Sequence, residues 1–549
     1  MRDMFLLLYY IWRAFQTILP GRDLGPSILP RIDIFTLCFY GKSGMRVVLA
    51  GYNVDKEVID ELKKHSPPRE DVTPETLSAS YARISRDPRP ADELRACARR
   101  EVERARRSNQ AIIFKMGHHS VAEHAVFNFD IIGVSRLALE EIEKFRLGSY
   151  TEKSQRYIKL GDDFIIPEEV RGAGLERAYV RTIRAQNSLY HRLYERLKPY
   201  LFNKYGELAA NPKNHLVLEG WAKEDARYTV SLATEGQVGL TINARNLELL
   251  IRRFAAKTLA ELRELNNRIY ALAREVAPSI ILFIEATEFD ARTYVELEEA
   301  ARHLFMEKGR SGEKRAPRRP AGEEEVALAE ATPDGDDRIL AALLHTSTAM
   351  SYSLCLRRVR WLTPAEKKEI IKTALRHMEF YDFPPREFEY ADLTFSLLVS
   401  ASCFAQLKRH RMATLTVQDY DPALGVTVPP SIEAIGAGRE FRELIARTNE
   451  TYATLLPKAG PAAAYVLTNA HRRRVLLKVN VRELYHISRL REDPTAQWEI
   501  REIAGRMSNL ARKEMPLSCL LLGGKDGYPT LYEKVFGRPP KLSPPHYLK

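Results

Sequence analysis

Cysteine is scarce in this 549-residue sequence, and its five cysteines stand singly, without a C-x-x-C pair. A disulfide framework and a thiolate zinc site are therefore both disfavoured, and a reducing, cytoplasmic location is expected. The sequence also has no G-x-S-x-G, Walker A or G-x-G-x-x-G motif. The usual signatures of serine hydrolases, P-loop NTPases and Rossmann dinucleotide-binding proteins are thus missing.

The sequence also lacks a hydrophobic run long enough to cross a membrane. Its most apolar stretch, residues 5–12, is far shorter than the roughly 20 residues that a spanning helix needs. Residues 1–44 are compatible with a weak signal peptide or anchor, but we treat them as a non-native extension. MRVVLAGYNVD, beginning at Met45, is typical of a buried first strand followed by a turn.

Positive charge is in excess, with 84 Lys and Arg against 72 Asp and Glu, a net charge of +12. This balance suits anionic partners such as nucleotides, nucleic acid or polyglutamylated cofactors, but its sign does not choose among them. A composition that is 45% hydrophobic and 28% charged is typical of a folded globular protein. A chain of this length is expected to form two to four domains.

A segment poor in large apolar side chains divides the chain near its middle. Residues 307–337 carry prolines and blocks of like charge, which predicts a flexible linker. We therefore predict a first domain at 45–306 and a second at 338–549. Helical patterns such as 92–108 and 137–145 dominate, with short strands between them, so the predicted fold class is α+β.

The two predicted domains share ordered sequence features. Ser135 precedes Lys144 by nine residues, and Ser400 precedes Arg409 by nine. Later in each half, an N-x-R triplet is followed by an amphipathic helical pattern. We interpret this order as a tandem duplication. The paired segments are 128–146 with 394–411, and 240–254 with 477–491.

The segment EKFRLGSYTEKSQRY, residues 143–157, is the first candidate for ligand recognition. Glu152, Ser154 and Arg156 alternate, so an extended chain places their side chains on one face. Arg forks onto a phosphate, Ser donates to it, and Glu accepts from a sugar or base. A polar strand edge with surface ion pairs is the competing interpretation.

Two further motifs contain histidine. RHR, residues 409–411, places fixed positive charge beside an imidazole and suits a diphosphate or an electron-rich ring, although a solvated helix end is the ordinary alternative. GHHSVAEH, residues 117–124, misses both zincin spacings by one residue, so we predict no metal. Ser120 lies at the predicted helix start, where free backbone N–H groups can meet a phosphate.

A polar stripe follows Asn480 in the second half. Asn480 can cap a helix on which Arg482, His486 and Arg489 share one face, with Arg491 near its far end. Capping and a solvated helix face are the ordinary interpretations of these residues.

Together these motifs resemble the flavin-dependent thymidylate synthases, the ThyX family, whose signature is R-H-R-x-x-S-x-N-E-x-S-x-R-Y. Residues 144–157 depart from this signature at Lys144, Phe145 and Thr151. The second half keeps the opening R-H-R, with Gln406 ahead of it, but has VQDYD in place of E-x-S-x-R. The signature residues matched in the first half are Arg146, Ser149, Glu152, Ser154, Arg156 and Tyr157.

The two halves have therefore lost opposite parts of the family pattern. Phe254 stands where the first half should have its late Arg, and Tyr465 where the second half should have the Arg of an A-R pair. In the family, each site is built between subunits of a homotetramer. The resemblance thus implies that the halves pair as a pseudo-dimer with one composite site. It also implies that two chains form a homodimer.

The family reaction converts dUMP to dTMP, with methylenetetrahydrofolate as carbon donor and NADPH-reduced FAD as hydride donor. The resemblance implies that Arg491 is catalytic and stabilises charge on the uracil ring. The implied dUMP-binding residues are Gln406, Arg409, Glu152, Ser154, Arg156 and Arg227. The implied FAD-binding residues are Ser120, Glu152, Arg409, His410, Arg411, Asn480, Arg482 and His486, with Asn243 and Arg245 as a second flavin contact.

Two other functions stay open at the sequence level. A non-catalytic descendant that binds a flavin or nucleotide in a regulatory role would also carry these motifs. Nucleic-acid binding rests on net charge alone. The enzyme is favoured because the opening Arg, the Glu, the phosphate Arg and the late Arg each survive in one half.

Overall fold

The computed structural model describes residues 44–55, 58–59, 62, 73–84, 87–115, 118–307 and 323–544. The chain divides into two units, Met1–Gly44 and Met45–Lys549, and the description below concerns the second. The prediction of an extension or anchor at 1–44 falls, Gly44 apart, outside the described residues. Among the described residues, no helix is both long and apolar enough to span a membrane.

Two four-stranded antiparallel sheets have the same strand order. The first runs β1-β2-β4-β3 and the second β5-β6-β8-β7. The strands are β1 Arg46–Tyr52, β2 Val126–Ser135, β3 Ser149–Glu152, β4 Glu235–Asn243, β5 Val326–Ala331, β6 Asp392–Ser400, β7 Thr414–Val417 and β8 Arg472–Asn480.

Helices make up most of the remaining structure, so the α+β prediction is confirmed. Those before the second sheet are α1 Glu75–Ile84, α2 Ala91–Arg100, α3 Val102–Asn109, α4 Arg136–Ile142, α5 Glu168–Gly172, α6 Glu176–Lys204, α7 Gly206–Ala209, α8 His215–Ala226, α9 Ala244–Ala255, α10 Ala260–Val276 and α11 Glu288–Glu307. Those that follow are α12 Gly335–Ser347, α13 Tyr352–Arg360, α14 Pro364–Leu375, α15 Ala401–Leu407, α16 Pro430–Ala434, α17 Gly438–Ala459, α18 Val481–Arg491, α19 Trp498–Glu514 and α20 Gly524–Phe536.

Each sheet is covered by helices from its own half. In β2, Phe127, Phe129 and Ile131 alternate with more exposed residues and are buried against Leu247 of α9. The period of two places one face of the strand on the core, and removing that face from water drives the packing.

The two halves meet through buried backbone and side-chain contacts. Leu232 N donates to Leu467 O at 2.7 Å, and Asn469 N donates to Val230 O at 2.8 Å. The long helices α6 and α17 also pack together, and their apolar residues form shared clusters. The halves therefore share interior surface.

Three local predictions need correction. The linker predicted at 307–337 is wrong at its C-terminal end, because Val326–Ala331 form β5 and helix α12 begins at Gly335. The strand after Met45 exists but is not buried as predicted: among the described residues β1 is an edge strand, and its side chains are half-buried or exposed. The helix predicted over 92–108 is two helices that meet at Glu101. The other domain boundaries stay predictions.

Candidate active site

A cleft of about 290 Å³ lies between residues of the two halves. It contains Arg491 and every residue predicted to bind dUMP. The residues that line it are Arg136, Glu152, Lys153, Ser154, Gln155, Arg156, Tyr157, Arg227, Ala405, Gln406, Arg409 and Arg491.

In the first half, strand β3 and the turn after it carry residues that line the cleft. Glu152 ends β3, which pairs with β4, so its backbone is held by the sheet. From the sequence, Glu152, Ser154 and Arg156 were expected to alternate along one extended strand. The strand ends at Glu152, so Ser154 and Arg156 lie in the turn after it. Ser154 Oγ accepts a hydrogen bond from the Arg156 N–H at 3.1 Å. This contact holds the turn, and all three side chains still line the cleft.

In the second half, the residues that line the cleft lie at the ends of two helices. Ser400 Oγ caps α15 by accepting from Cys403 N at 3.0 Å. Gln406 lies in the last turn of this helix, and Arg409 follows its end. The Asn480 side chain caps α18 in the same way, accepting from Glu483 N at 2.8 Å, and Arg491 is that helix's last residue.

Arg156 is held from three sides. Its Nε donates to Glu224, its Nη1 to Gln406 Oε1 at 3.3 Å, and its Nη2 to the Thr495 carbonyl at 2.9 Å. The last two partners belong to the second half. The guanidinium is therefore fixed in the cleft by residues from both halves of the chain.

Arg227 is buried but poorly satisfied. Its Nε and Nη2 find no hydrogen-bond partner within the described residues, and neither does Nε2 of Gln406. Burial lowers the pKa of the Arg227 guanidinium, and Arg156 lowers it further. Buried donors left unpaired cost about 1–3 kcal/mol each, so these nitrogens are suited to an acceptor that enters the cleft.

Glu152 is kept ionised by its neighbours. Burial raises its pKa, but Arg136, Lys408 and Arg409 outweigh burial and the pKa is lowered overall. Its Oε1 accepts from Arg136 Nη1 at 2.8 Å, while Oε2 lies 4.0 Å from Arg409 Nη1. The second oxygen therefore faces the cleft as a charged acceptor.

Arg491 is held in place by hydrogen bonds to Gln406 and His410. Its Nη2 donates to the Gln406 carbonyl at 2.9 Å, and its Nε donates to His410 Nε2 at 2.9 Å. Burial and then Arg156 lower the pKa of Arg491 to about 10. The side chain thus remains a cation at neutral pH.

His410 is buried, and burial and Arg491 lower its pKa to about 3, so the ring is neutral. Because Nε2 accepts from Arg491, the ring proton lies on Nδ1, which faces Glu483 Oε1 at 3.6 Å. His410, Glu483 and His486 each bring a ligand atom within 4.8 Å of the others. A protonated Nδ1 has no lone pair for a metal, so this trio does not favour a metal site.

The predicted flavin residues fall into two groups. His410 lies 5.6 Å from the ring of His486, and the rings of Phe383 and His486 are 5.4 Å apart. Arg482 Nε donates to the Pro384 carbonyl at 2.8 Å and lies over Phe383. These residues adjoin the cleft through His410.

A smaller cavity of about 240 Å³ shares Arg409 with the cleft. Arg411 also lines it and donates to the Gly148 carbonyl of the first half. Cationic side chains are thus also present in this smaller cavity, next to the cleft, where Arg411 contacts the first half.

The remaining predicted flavin residues are engaged in the first half. Asn243 caps α9 by accepting from Asn246 N at 3.0 Å, and Arg245 pairs with Glu123. Ser120 lies in the short 3₁₀ helix His119–His124, which packs against α9. Asn243 has the capping role of Asn480, but the first half's late position holds Phe254, buried in the core.

A family model described as "Thymidylate synthase complementing protein" matches the chain twice, at residues 69–279 and 327–517. The two matched segments together cover most of the chain. The chain belongs to the ThyX family. The resemblance seen in the sequence is thereby confirmed.

Relatives differ in how much of this ThyX chain they match. The UPF0159 protein of Thermoplasma acidophilum is 23% identical over 484 residues, which covers 80% of this chain and 92% of the relative. The UPF0159 protein of Chlamydia muridarum is 25% identical over 425 residues, covering 73% and 78%. The flavin-dependent thymidylate synthase of Clostridium tetani is 30% identical over 213 residues, covering 38% and 82%. The last alignment is about as long as one matched segment.

Among solved structures, the UMP/dUMP methylase PolB from Streptomyces cacaoi, bound with 5-Br dUMP, is 17% identical to this chain. The match covers 44% of this chain and 94% of that protein, with a TM-score of 0.32.

Both ThyX segments contribute to the cleft. Residues 152–156 and Arg227 lie in the first matched segment, and Gln406, Arg409 and Arg491 in the second. Arg136, which sequence reasoning did not assign, also lines the cleft. A sequence signal was present, since Arg136 ends the stretch F-x-F-x-I-x-G-V-S-R, residues 127–136, which also resembles the family.

The sequence comparison predicted that Tyr465 stands at the position that corresponds to Arg227, and this prediction is wrong. Ala470 N donates to Tyr228 O at 3.0 Å, and Ala233 N donates to Tyr465 O at 3.0 Å. Each tyrosine hydroxyl also donates to a buried glutamate of the other half. Tyr465 is therefore the counterpart of Tyr228, and Ala464 is the counterpart of Arg227.

Proposed function

We propose that this protein converts dUMP to dTMP, with methylenetetrahydrofolate as carbon donor and FAD reduced by NADPH as hydride donor. The observation that carries this proposal is the shared cleft, in which Arg156 and Arg227 of one half meet Gln406 and Arg491 of the other. The name of the Clostridium tetani relative, a flavin-dependent thymidylate synthase, supports the reaction class.

Pairing of the halves as a pseudo-dimer is supported by equivalent contacts across their boundary. The two sheets have the same strand order, and the reciprocal backbone hydrogen bonds of Leu232 and Asn469 join matching positions. Gln186 of α6 donates to Thr448 of α17 at 3.0 Å, with the two helices packed side by side. Such reciprocity is typical of a two-fold interface made by duplicated segments.

One buried ion pair favours pairing within a chain. Glu143 and Lys408 each lie eight residues after the capping serine of their half, and they meet at 2.8 Å with side chains 2% and 6% exposed. In a symmetric dimer of identical halves, equivalent positions near the axis would carry like charge. Opposite charges at these positions select the unlike half as partner.

The mirror-image site is proposed to be lost. Tyr420 lies in VQDYD, the segment that stands in place of E-x-S-x-R, and its hydroxyl donates to Glu140 at 2.9 Å. The Arg473 guanidinium lies 4.7 Å from the Phe404 ring and 4.3 Å from the Tyr420 ring, and donates to Glu140 at 3.2 Å. We propose that this buried, hydrogen-bonded network occupies the mirror-image site. One nucleotide per chain follows.

Within the cleft, different side chains are suited to different groups of the nucleotide. Arg227, with two unpaired donors, and Arg156 are suited to the phosphate, because a guanidinium forks onto phosphate oxygens. The free Gln406 Nε2 is suited to an acceptor on the uracil or sugar. Arg491 remains protonated and stabilises negative charge on the uracil ring as it develops.

The residues beside the cleft fit FAD. Arg409 and Arg411 offer cationic donors for a diphosphate, and the buried His410 Nδ1 has no hydrogen-bond partner within the described residues. FAD bound there in reduced form would supply the hydride. His486 and Arg482 would complete the wall. Glu152 holds Arg136 and keeps a charged oxygen toward the ligand.

The buried Cys403 thiol is unsuited to nucleophilic attack. Burial and Glu499 raise the pKa of Cys403, although Arg491 and Arg227 oppose this, so the sulfur stays protonated at neutral pH. A reaction that uses flavin hydride without a cysteine nucleophile agrees with this setting.

The test is an assay of the chain purified from Met45 with FAD, NADPH, methylenetetrahydrofolate and dUMP. We expect a yellow protein that forms dTMP and oxidises NADPH only when dUMP is present. A protein that cannot be reconstituted with FAD would overturn the proposal. Light scattering tests the associated proposal that two chains form a homodimer.

A further inference from the structure

A second cavity, of about 440 Å³, lies beside the nucleotide cleft and is larger than it. Glu224 connects the two, because it lines this cavity and also accepts from Arg156, which lines the cleft. The cavity is formed by the end of α6, by α8 and by the segment 494–501. None of the residues that line it is assigned to dUMP or FAD.

Three aromatic rings wall this cavity. Tyr205 meets Trp221 edge to face, with their centroids 5.0 Å apart. Trp498 stacks on the buried Tyr228 at 6.1 Å, and its indole N–H donates to Asp225 Oδ1 at 3.0 Å. The rings are therefore held in place before any ligand arrives. Fixed aromatic walls suit a flat ring, which can stack on or meet them edge to face.

The charges of the cavity favour an anion. Lys204 and Arg501 line it and are exposed, and within the described residues neither pairs with a carboxylate. Asp225, at the inner end, has both oxygens engaged by Ser431 and Trp498, and burial raises its pKa to about 7. Glu224 is neutralised by Arg156. The uncompensated charge is thus positive and lies with the two exposed cations.

We infer that this cavity is a second binding site, for a planar aromatic ring that carries a carboxylate or phosphate group. The ring enters between Tyr205, Trp221 and Trp498, and its anionic group meets Lys204 and Arg501. The volume lies within the usual range for small-molecule sites, about 300–1,000 Å³. This inference does not rest on thymidylate synthesis.

The probe is 8-anilinonaphthalene-1-sulfonate, an aromatic anion whose fluorescence rises on binding. The double variant Lys204→Met/Arg501→Met removes both cations from exposed positions, so its fold should persist, as circular dichroism can check. We expect its affinity for the probe to fall about tenfold or more, since a charge-assisted hydrogen bond contributes roughly a factor of ten. The matched control Lys213→Met/Arg439→Met, with exposed cations elsewhere, should bind as the parent does.

Equal binding by both double variants, or no binding by the parent, would overturn the inference. Competition then identifies the source of the anion. The competitors are dTMP, for a nucleotide, and N-(4-aminobenzoyl)glutamate, for an aromatic carboxylate. Both are tested in the Arg227→Met background, so that the nucleotide cleft does not bind dTMP. Displacement by either one supports the site, and a probe that neither displaces would contradict it.

Discussion

Replacing Arg227 with methionine should stabilise the ligand-free protein while destroying nucleotide binding. Arg227 is 4% exposed, and its Nε and Nη2 have no hydrogen-bond partner among the described residues. Methionine has a similar length, carries no charge and leaves no donor unsatisfied. The two effects have opposite signs because the side chain is matched to an anion rather than to the protein.

The magnitude follows from those two donors. Each unpaired buried donor costs about 1–3 kcal/mol, and the attraction between Glu224 and Arg227, which methionine also removes, offsets part of the gain. We expect a gain of about 1–4 kcal/mol in the free energy of unfolding without ligand. Losing charge-assisted hydrogen bonds to phosphate, about 1.5–3 kcal/mol each, should weaken dUMP binding by about a hundredfold.

Arg156→Met is the matched control in the same cleft. Arg156 has partners for Nε, Nη1 and Nη2, so its removal leaves Glu224 buried without its cation. We expect this variant to lose both dUMP affinity and stability. The assays are urea unfolding without ligand and calorimetric titration with dUMP. An Arg227→Met protein that is destabilised as much as Arg156→Met would refute the reasoning.

Three further results are expected. Lys408→Met should lower the free energy of unfolding by up to about 3–5 kcal/mol, because it leaves the buried Glu143 with only Arg409, at 3.8 Å, and removes a cation that also acts on Glu152. Lys408→Arg keeps the charge and should recover most of the loss in urea unfolding, and no recovery would contradict the pair. Asp225 has a pKa raised from 3.8 to about 7, so the folded state binds its proton more tightly and stability falls as pH rises from about 4 to 7. Asp225→Asn should remove that fall, up to about 4 kcal/mol, from the pH dependence of unfolding, and an unchanged profile would contradict the burial of its carboxyl. Arg491→Ala should abolish dTMP formation but leave FAD bound, as judged from product analysis and the visible spectrum, whereas full activity would show that the catalytic arginine is elsewhere.

Motifs whose chemistry is local could be predicted from the sequence. The cap at Asn480 was predicted from an asparagine placed before an amphipathic helix, and it is present. Asn243 has the same placement and also caps its helix, although from the sequence it was assigned only to the flavin. The prediction that Glu152 and Arg491 share one site depended on the resemblance, because no spacing rule links residues more than 300 positions apart. Complementary loss between the halves was the sequence signal for that long-range contact.

Features set by tertiary packing were missed. The linker prediction extended into β5 because a strand with Glu330 and several alanines has a weak hydrophobic pattern, and it is the pairing with β6 that forms it. The equivalence of Tyr465 with Tyr228 required reciprocal hydrogen bonds across the halves. The Nε and Nη2 donors of Arg227 are unpaired because no acceptor of the folded chain lies within reach among the described residues. Local sequence does not reveal which acceptors will be near a side chain.

Calorimetric titration of the intact chain with dUMP tests the central claim most directly. One composite site per chain predicts a stoichiometry of one dUMP bound per chain. Binding of two molecules per chain would mean that the network of Tyr420, Glu140 and Arg473 does not fill the mirror-image site. No binding at all would contradict the assignment of the cleft to a nucleotide.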